Sequence, residues 1–197
     1  DDTEKRDAGS AYVFAREGSV WLPQARLTAP TADTATDDCF GEAVSISGDT
    51  VIIGVPRADE GEALMNSGAA YVFGRTGSTW TQQGRLVPAD AAADNKFGCS
   101  VSISGDTAIV GSIRDHSALS SDYLRGAAYI FARNGPKWTQ RAKLVSSSVA
   151  GESGFGGGVS IWGDTAVVGA SWESDMRGAV YVFVRENTEW TKQARLT

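Results

Sequence analysis

The 197-residue chain is poor in the groups that build metal and catalytic centres. It has one histidine, His116, and two cysteines, Cys39 and Cys99. Neither a four-cysteine zinc site, nor one of two cysteines and two histidines, nor a multi-histidine metal centre can be assembled within one such chain. His116 directly follows Asp115. Adjacent residues do not make a triad, because the base must reach a separate nucleophile and a separate orienting group. No apolar run approaches the roughly 18 residues a spanning helix needs, so no membrane insertion is expected. Basic residues are in deficit, with 18 Lys and Arg against 24 Asp and Glu, for a net charge of -6. A chain of that charge without a basic cluster is a poor nucleic-acid binder. Gly156-Gly157-Gly158 has no lysine and no following helix, so it is no phosphate loop. The reading that results is a non-enzyme with no catalytic residue, no metal site and no cofactor.

What the chain does have is an internal repeat. Gly9-Ser10-Ala11-Tyr12-Val13-Phe14 returns as Gly68 to Phe73, Gly126 to Phe131 and Gly178 to Phe183. A tryptophan follows each copy, at Trp21, Trp80, Trp138 and Trp190, and a leucine follows each tryptophan, at Leu27, Leu86, Leu144 and Leu196. A third element occurs three times: Phe40-Gly41 with Val44 to Thr50, then Phe97 to Thr107, then Phe155 to Thr165. All seven phenylalanines fall on repeat positions, and only Tyr123, Trp162 and Trp172 among the other aromatics do not. An aromatic set shared by every copy reads as packing. The expected core is therefore Phe40, Phe97 and Phe155, Trp21, Trp80, Trp138 and Trp190, and Tyr12, Tyr71, Tyr129 and Tyr181.

Each module reads as four short strands. Val44 to Ser47 alternates apolar and small polar residues, and Gly48-Asp49 suits a type II′ hairpin turn. Val51 to Ile53, Ala108 to Val110 and Ala166 to Val168 are continuously apolar, as strands buried on both faces are. Tyr12 and Phe14, with their copies, supply the third strand. The fourth runs from Trp21 to Leu27, with tryptophan and leucine both facing inward and charged residues facing outward to blunt an edge. Almost no helix is expected. Antiparallel four-stranded units recurring roughly every 50 to 60 residues point to an all-β fold, a β-propeller. One repeat domain spans 1–197, with an N-terminal half blade at 9–27 (strands three and four only) and complete blades at 40–86, 97–144 and 155–196.

Phe40-Gly41, the strand ending Ile53-Gly54-Val55-Pro56 and the later Gly68-Ala69-Ala70-Tyr71-Val72-Phe73 resemble the FG-GAP repeat. Phe97-Gly98 with Gly111, and Phe155-Gly156 with Gly169-Ala170, carry the same pattern. The resemblance implies an integrin α-type propeller, usually seven-bladed, in an extracellular or cell-surface setting, used for adhesion, scaffolding or protein interaction. The family's Asp-rich calcium loop has no counterpart here. The connection is only Ser47-Gly48-Asp49-Thr50, and one carboxylate cannot supply the six to eight oxygens calcium takes. Three and a half modules are about half of such a ring. The expectation is a portion of a longer propeller, or a protomer that covers its open ends with another copy.

The long connections between strands two and three, and between strands four and one, are where binding would sit on such a scaffold. They carry Asp33, Asp37, Asp90 and Asp94, which are either weak cation ligands or solvated loop carboxylates. Tyr123 and Trp172 could stack on a sugar ring or anchor a protein partner, and the alternative function is therefore a glycan-binding lectin. Trp162 replaces the repeat's serine beside the Gly163-Asp164 turn. The recurring Arg16, Arg75, Arg133 and Arg185 read as edge residues in ion pairs. Cys39 and Cys99, at the starts of adjacent first strands, are a candidate disulfide pair.

Overall fold

The computed structural model describes residues 8–30, 38–114, 125–147 and 153–197. Among the described residues, alternating and continuous apolar runs fold into fourteen strands. A two-stranded sheet pairs β1 (Ala11–Glu17) with β2 (Val20–Leu27). The first four-stranded sheet comprises β3 (Ala43–Ser47), β4 (Thr50–Val55), β5 (Ala69–Thr76) and β6 (Thr79–Leu86). The second comprises β7 (Phe97–Ser104), β8 (Thr107–Ser112), β9 (Ala127–Asn134) and β10 (Lys137–Leu144). The third comprises β11 (Phe155–Trp162), β12 (Thr165–Ala170), β13 (Ala179–Glu186) and β14 (Glu189–Leu196). All are antiparallel, and chain order is spatial order. The single described helix, α1 (Glu173–Met176), is one turn in the β12–β13 connection.

The cores lie between sheets. Ile52, Val72 and Leu86 of the first sheet meet Phe97, Val101, Ile103, Tyr129 and Phe131 of the second. Ile109, Ile130 and Leu144 of the second meet Phe155, Ile161, Tyr181 and Phe183 of the third. Leu27 of the two-stranded sheet meets Phe40, Tyr71 and Phe73 of the first. The phenylalanine that opens each four-stranded module packs against its sheet's own Tyr and Phe, edge-on in the case of Phe97 with Tyr129 at 5.5 Å and Phe131 at 5.9 Å. These contacts add to area burial because a ring edge meets a ring face.

Backbone contacts repeat at each junction. Gly9, Gly68 and Gly126 each form a parallel bridge to the phenylalanine of the next module, Phe40, Phe97 and Phe155. Gly54 and Gly111 sit so close to the next sheet that a Cβ on either would lie 1.9 Å from a carbonyl oxygen, that of Gly98 or Gly156. Serines complete the join. Ser45 and Ser47 accept from the Ile103 and Gly105 amides at 3.2 and 3.1 Å. Ser102 and Ser104 accept from those of Ile161 and Gly163 at 3.1 and 3.2 Å. The small polar residues of the alternating first strand thus bond the edge amides of the following sheet, which would otherwise stay unpaired against it.

Several sequence expectations need correction. Tyr12 and Trp21 are exposed, at 54% and 64%, although their counterparts Tyr71, Tyr129 and Tyr181 are fully buried and Trp80, Trp138 and Trp190 are half-buried. These residues face the preceding sheet, and no described sheet precedes β1–β2. Tryptophan and leucine of the fourth strand do not share a face. A register shift opposite Val72/Phe73, repeated in every outer pair, inserts one residue between them. Because side chains alternate with period two, the extra residue flips the leucine to the other side. Trp80 therefore packs toward β1–β2, while Leu86 packs toward the second sheet. The apolar runs of β4 and β8 are buried throughout, but β12 alternates, since only one of its faces meets a sheet among the described residues.

No disulfide joins Cys39 to Cys99. The two occupy different repeat positions, one before the phenylalanine and one two residues after it. The Cys99 sulfur points toward the Gly156 carbonyl of the third sheet, at 3.7 Å. Burial pushes the Cys99 thiol up to about 11. At pH 8 only about one molecule in a thousand then carries the thiolate, the reactive species. Iodoacetamide is expected to leave Cys99 unmodified in the native chain at pH 8 and to label it at a free-thiol rate in urea. Fast native labelling, read by peptide mass mapping, would contradict the packing of β7 on β11.

Candidate functional site

The two ends of the sheets differ in construction. At one end, tight turns are locked by a repeated ion pair. Arg75, Arg133 and Arg185 donate through Nε to Asp49, Asp106 and Asp164 at 2.8, 2.7 and 2.7 Å, and each backbone amide also donates to the same aspartate's carbonyl at 2.8 Å. Each guanidinium lies 5.5–5.7 Å from the ring centre of Trp80, Trp138 or Trp190. Gly48, Gly105 and Gly163 hold φ near +57, +57 and +55, the left-handed first position the hairpin turn requires. The turn aspartates are thus occupied in structure, and the arginines are edge ion-pair residues as the sequence suggests.

The other end carries the long connections, 56–68, 87–96 and 171–178 among the described residues. Each is tied to its sheet through a tyrosine, a cation and a carboxylate. Arg85 Nε donates to Tyr71 Oη at 2.9 Å, and its terminal nitrogen pairs with Glu60. Burial opposes the charge on Arg85, but the bonds to Glu60 and Tyr71 outweigh it and hold the guanidinium above its ordinary value. Lys143 lies 5.3 Å from the Tyr129 ring centre and donates to Asp90 at 2.7 Å. Glu173, 1% exposed, accepts from Tyr181 Oη at 2.8 Å, Ser146 at 3.1 Å and Arg195 Nε at 2.8 Å. A buried carboxylate needs that many donors, since an unpaired one would be strongly destabilising. The bond to Glu173 in turn raises Arg195 above its ordinary value.

The loops are also tied to each other. Asp94 donates its amide to the Met65 carbonyl at 2.8 Å, Lys96 donates its amide to Asn66, and Asn66 Nδ2 donates to Asp94 at 3.3 Å. Of the residues nominated from sequence, Asp90 is therefore the partner of Lys143, and Asp94 clasps the neighbouring loop. Trp172 packs over the Cα of Gly154 and lines an open groove of about 740 Å³ with Gly158, Gly169, Arg177 and Leu196. Neither Asp90 nor Asp94 borders that groove. Asp33, Asp37, Tyr123 and His116 lie outside the described residues. Trp162 is 85% exposed at the turn end of β11, the opposite end of the sheet from Trp172. Among the described residues no group of three or more His, Cys, Asp or Glu is arranged to hold a metal ion.

Glu60 and Glu173 were not nominated from sequence, because they sit at unrelated offsets in loops of different length. Their partners were discernible: the Tyr71/Arg85, Tyr129/Lys143 and Tyr181/Arg195 pairs recur at one spacing. A cation that recurs beside a buried tyrosine suggests an acid nearby.

The architecture of short-turn modules is matched by a family comparison. A model of the FG-GAP repeat fits residues 21–73, 80–131 and 138–183, which is most of the chain. The chain belongs to the FG-GAP repeat family. Each FG-GAP match starts on the tryptophan of one sheet's outer strand and ends on the third-strand phenylalanine of the next. It therefore spans one of the junctions described above. No curated protein matches the chain. FG-GAP repeats are typical of integrin-like extracellular modules. No helix of the described residues is long and apolar enough to cross a membrane.

Proposed function

We propose that the FG-GAP sheets are blades of a β-propeller arc that serves outside the cell as a non-enzymatic structural or adhesive module, binding a protein partner through its long-loop end. The observation that carries this reading is the contrast between the two ends. The turn end is the same in every module and is closed by its own Asp–Arg pairs. The loop end varies in length and composition, yet is held rigid by Glu60, Asp90 and Glu173. Variable segments on a rigid frame suit recognition, because little ordering entropy remains to be lost on binding. The blade arrangement is supported by the repeat of one set of contacts at successive junctions, Gly54 on Gly98 and Gly111 on Gly156. Repetition of one rotation and translation generates an arc around an axis.

The test is a binding screen against extracellular-matrix and cell-surface proteins, with a variant whose 57–67 loop is replaced by a two-residue turn. Loss of binding in that variant, with its circular dichroism intact, is the expected result. Binding that survives shortening of every long loop would refute the assignment to this end. The groove beside Trp172 favours a second reading, a glycan-binding propeller. Glycan-array signals abolished by Trp172→Ala would favour it over the protein-binding one.

A further inference from the structure

We propose that the cleft between β10 and the β13–β14 turn is an oxyanion site, where Arg141 and Arg185 hold a sulfate, phosphate or carboxylate group of a bound molecule. The cleft measures about 420 Å³ and opens at the turn end, between the second and third sheets. Ile130 and Ala132 supply its apolar lining, Arg141 and Arg185 its cations. It lies away from the long loops and does not depend on the reading proposed above.

The other junctions show which group is missing there. Between the first and second sheets, Arg133 Nη1 has two acceptors, Thr50 Oγ1 at 3.4 Å and Gln83 Oε1 at 3.3 Å. Between the second and third, Arg185 Nη1 has one, Thr107 Oγ1 at 3.5 Å. The residue in the place of Gln83, three after the outer-strand tryptophan, is Arg141. A guanidinium has donors and no acceptor, so it cannot stand in for the glutamine oxygen. Gln24 holds the same place in β2 and also accepts, from Trp80 Nε1 at 2.9 Å. The position that accepts at two junctions is thus a cation at the third.

Charge points the same way. In a chain of net charge -6, β10 carries Lys137, Arg141 and Lys143 and no acid. Lys143 is matched by Asp90, and Arg185 by Asp164 through Nε and its other terminal nitrogen. Arg141 is exposed and forms no ion pair among the described residues. Glu189 also borders the cleft, but it pairs with neither arginine. The turn adds Asn187 and Thr188, an amide and a hydroxyl, where the matching turn of the second sheet is Gly135-Pro136 and has no side-chain donor.

An oxyanion between the two arginines accepts from Arg141 and from Arg185 Nη1, and so fills the role that Gln83 has one junction earlier. Planar guanidinium groups suit such oxygens, because their donors match the spacing of two oxygens on one group. The apolar side at Ile130 lowers the local dielectric and strengthens those bonds.

The experiment titrates the intact, isotope-labelled chain with sodium sulfate, phosphate and acetate in turn, against sodium chloride at matched ionic strength. The arginine Nε–Hε resonances are followed by NMR. Saturable shifts at Arg141 and Arg185 with little change at Arg133 are expected, and the anion that saturates at the lowest concentration names the group recognised. R141Q, which restores the acceptor of the other junctions, should weaken binding about tenfold or more, the worth of one charged hydrogen bond. E189Q should strengthen it about twofold by removing a like charge from the lining. K137Q, outside the lining, should leave it within about twofold. Arg141, Glu189 and Lys137 are exposed, so all three variants should keep the native circular dichroism. Shifts at Arg133 equal to those at Arg185, or binding that R141Q leaves unchanged, would reduce the effect to general screening and overturn the proposal. Failure of all three anions to saturate would overturn it as well.

Discussion

Replacing Phe97 with alanine is expected to cost about 3–5 kcal/mol of unfolding free energy. Phe97 is fully buried, opens the second sheet, and touches both Tyr129 and Phe131 across their ring edges. It also lies in the core shared with the first sheet, so its removal leaves a cavity at a junction that neither sheet can close alone. The control is Tyr12→Ala, at the repeat position of Tyr129. Tyr12 is 54% exposed, and its truncation should change stability by less than about 0.5 kcal/mol. Urea unfolding followed by tryptophan fluorescence measures both. Equal losses at the two positions would show that the outer face of β1–β2 is covered in solution.

Gly111→Ala should be nearly as damaging, for a steric reason. Its backbone is not left-handed, so space alone decides. The added methyl would meet the Gly156 carbonyl oxygen at 1.9 Å and the Ser100 hydroxyl at 2.2 Å. The second and third sheets must then separate, which breaks the serine bonds to Ile161 and Gly163 and loosens the core around Phe155. A loss of about 3 kcal/mol, the upper part of the usual overpacking range, is expected. Gly169 holds the same place in the third sheet, where the nearest atom to an added Cβ is the Gly158 oxygen at 3.6 Å. Gly169→Ala should therefore be tolerated within about 0.5 kcal/mol. If thermal melts show the two substitutions to be equivalent, the close approach at Gly111 is not what joins the sheets.

The contrast between equivalent positions also shows where sequence reading works. Strands, their order and the type II′ turns are local properties. They follow from alternation in Val44–Ser47, from unbroken apolar runs such as Val51–Ile53, and from glycine at a positive φ in the first turn position. The Asp–Arg pairs at the turn end were half legible, since a cation recurring at one repeat position needs a recurring acid. The carboxylates at the loop end were not. Glu60, Asp90 and Glu173 reach the same place in three sheets from three different offsets, two of them within one kind of connection and one in another. Asp90 and Asp94 stand out in the sequence as loop carboxylates, but nothing local says that their partners are Lys143 and Asn66.

Burial was the property the residue pattern could not supply. Tyr12, Tyr71, Tyr129 and Tyr181 are one residue in four copies, yet three are sealed and one is half in solvent. A strand's own residues set its hydrogen bonds and the side from which each side chain projects, and these are alike in every copy. Whether that side is dry depends on the neighbouring sheet, which differs at the ends of the array. The bulge opposite Val72 and Phe73 is similar in kind: one extra residue in a pairing between strands reverses the side on which Leu86 projects, and no periodicity within Trp80–Leu86 records it. The repeat thus dictated the module and its bonding groups. The packing of module on module chose which of those groups are core and which, as at Tyr12 and Val44, are exposed among the described residues.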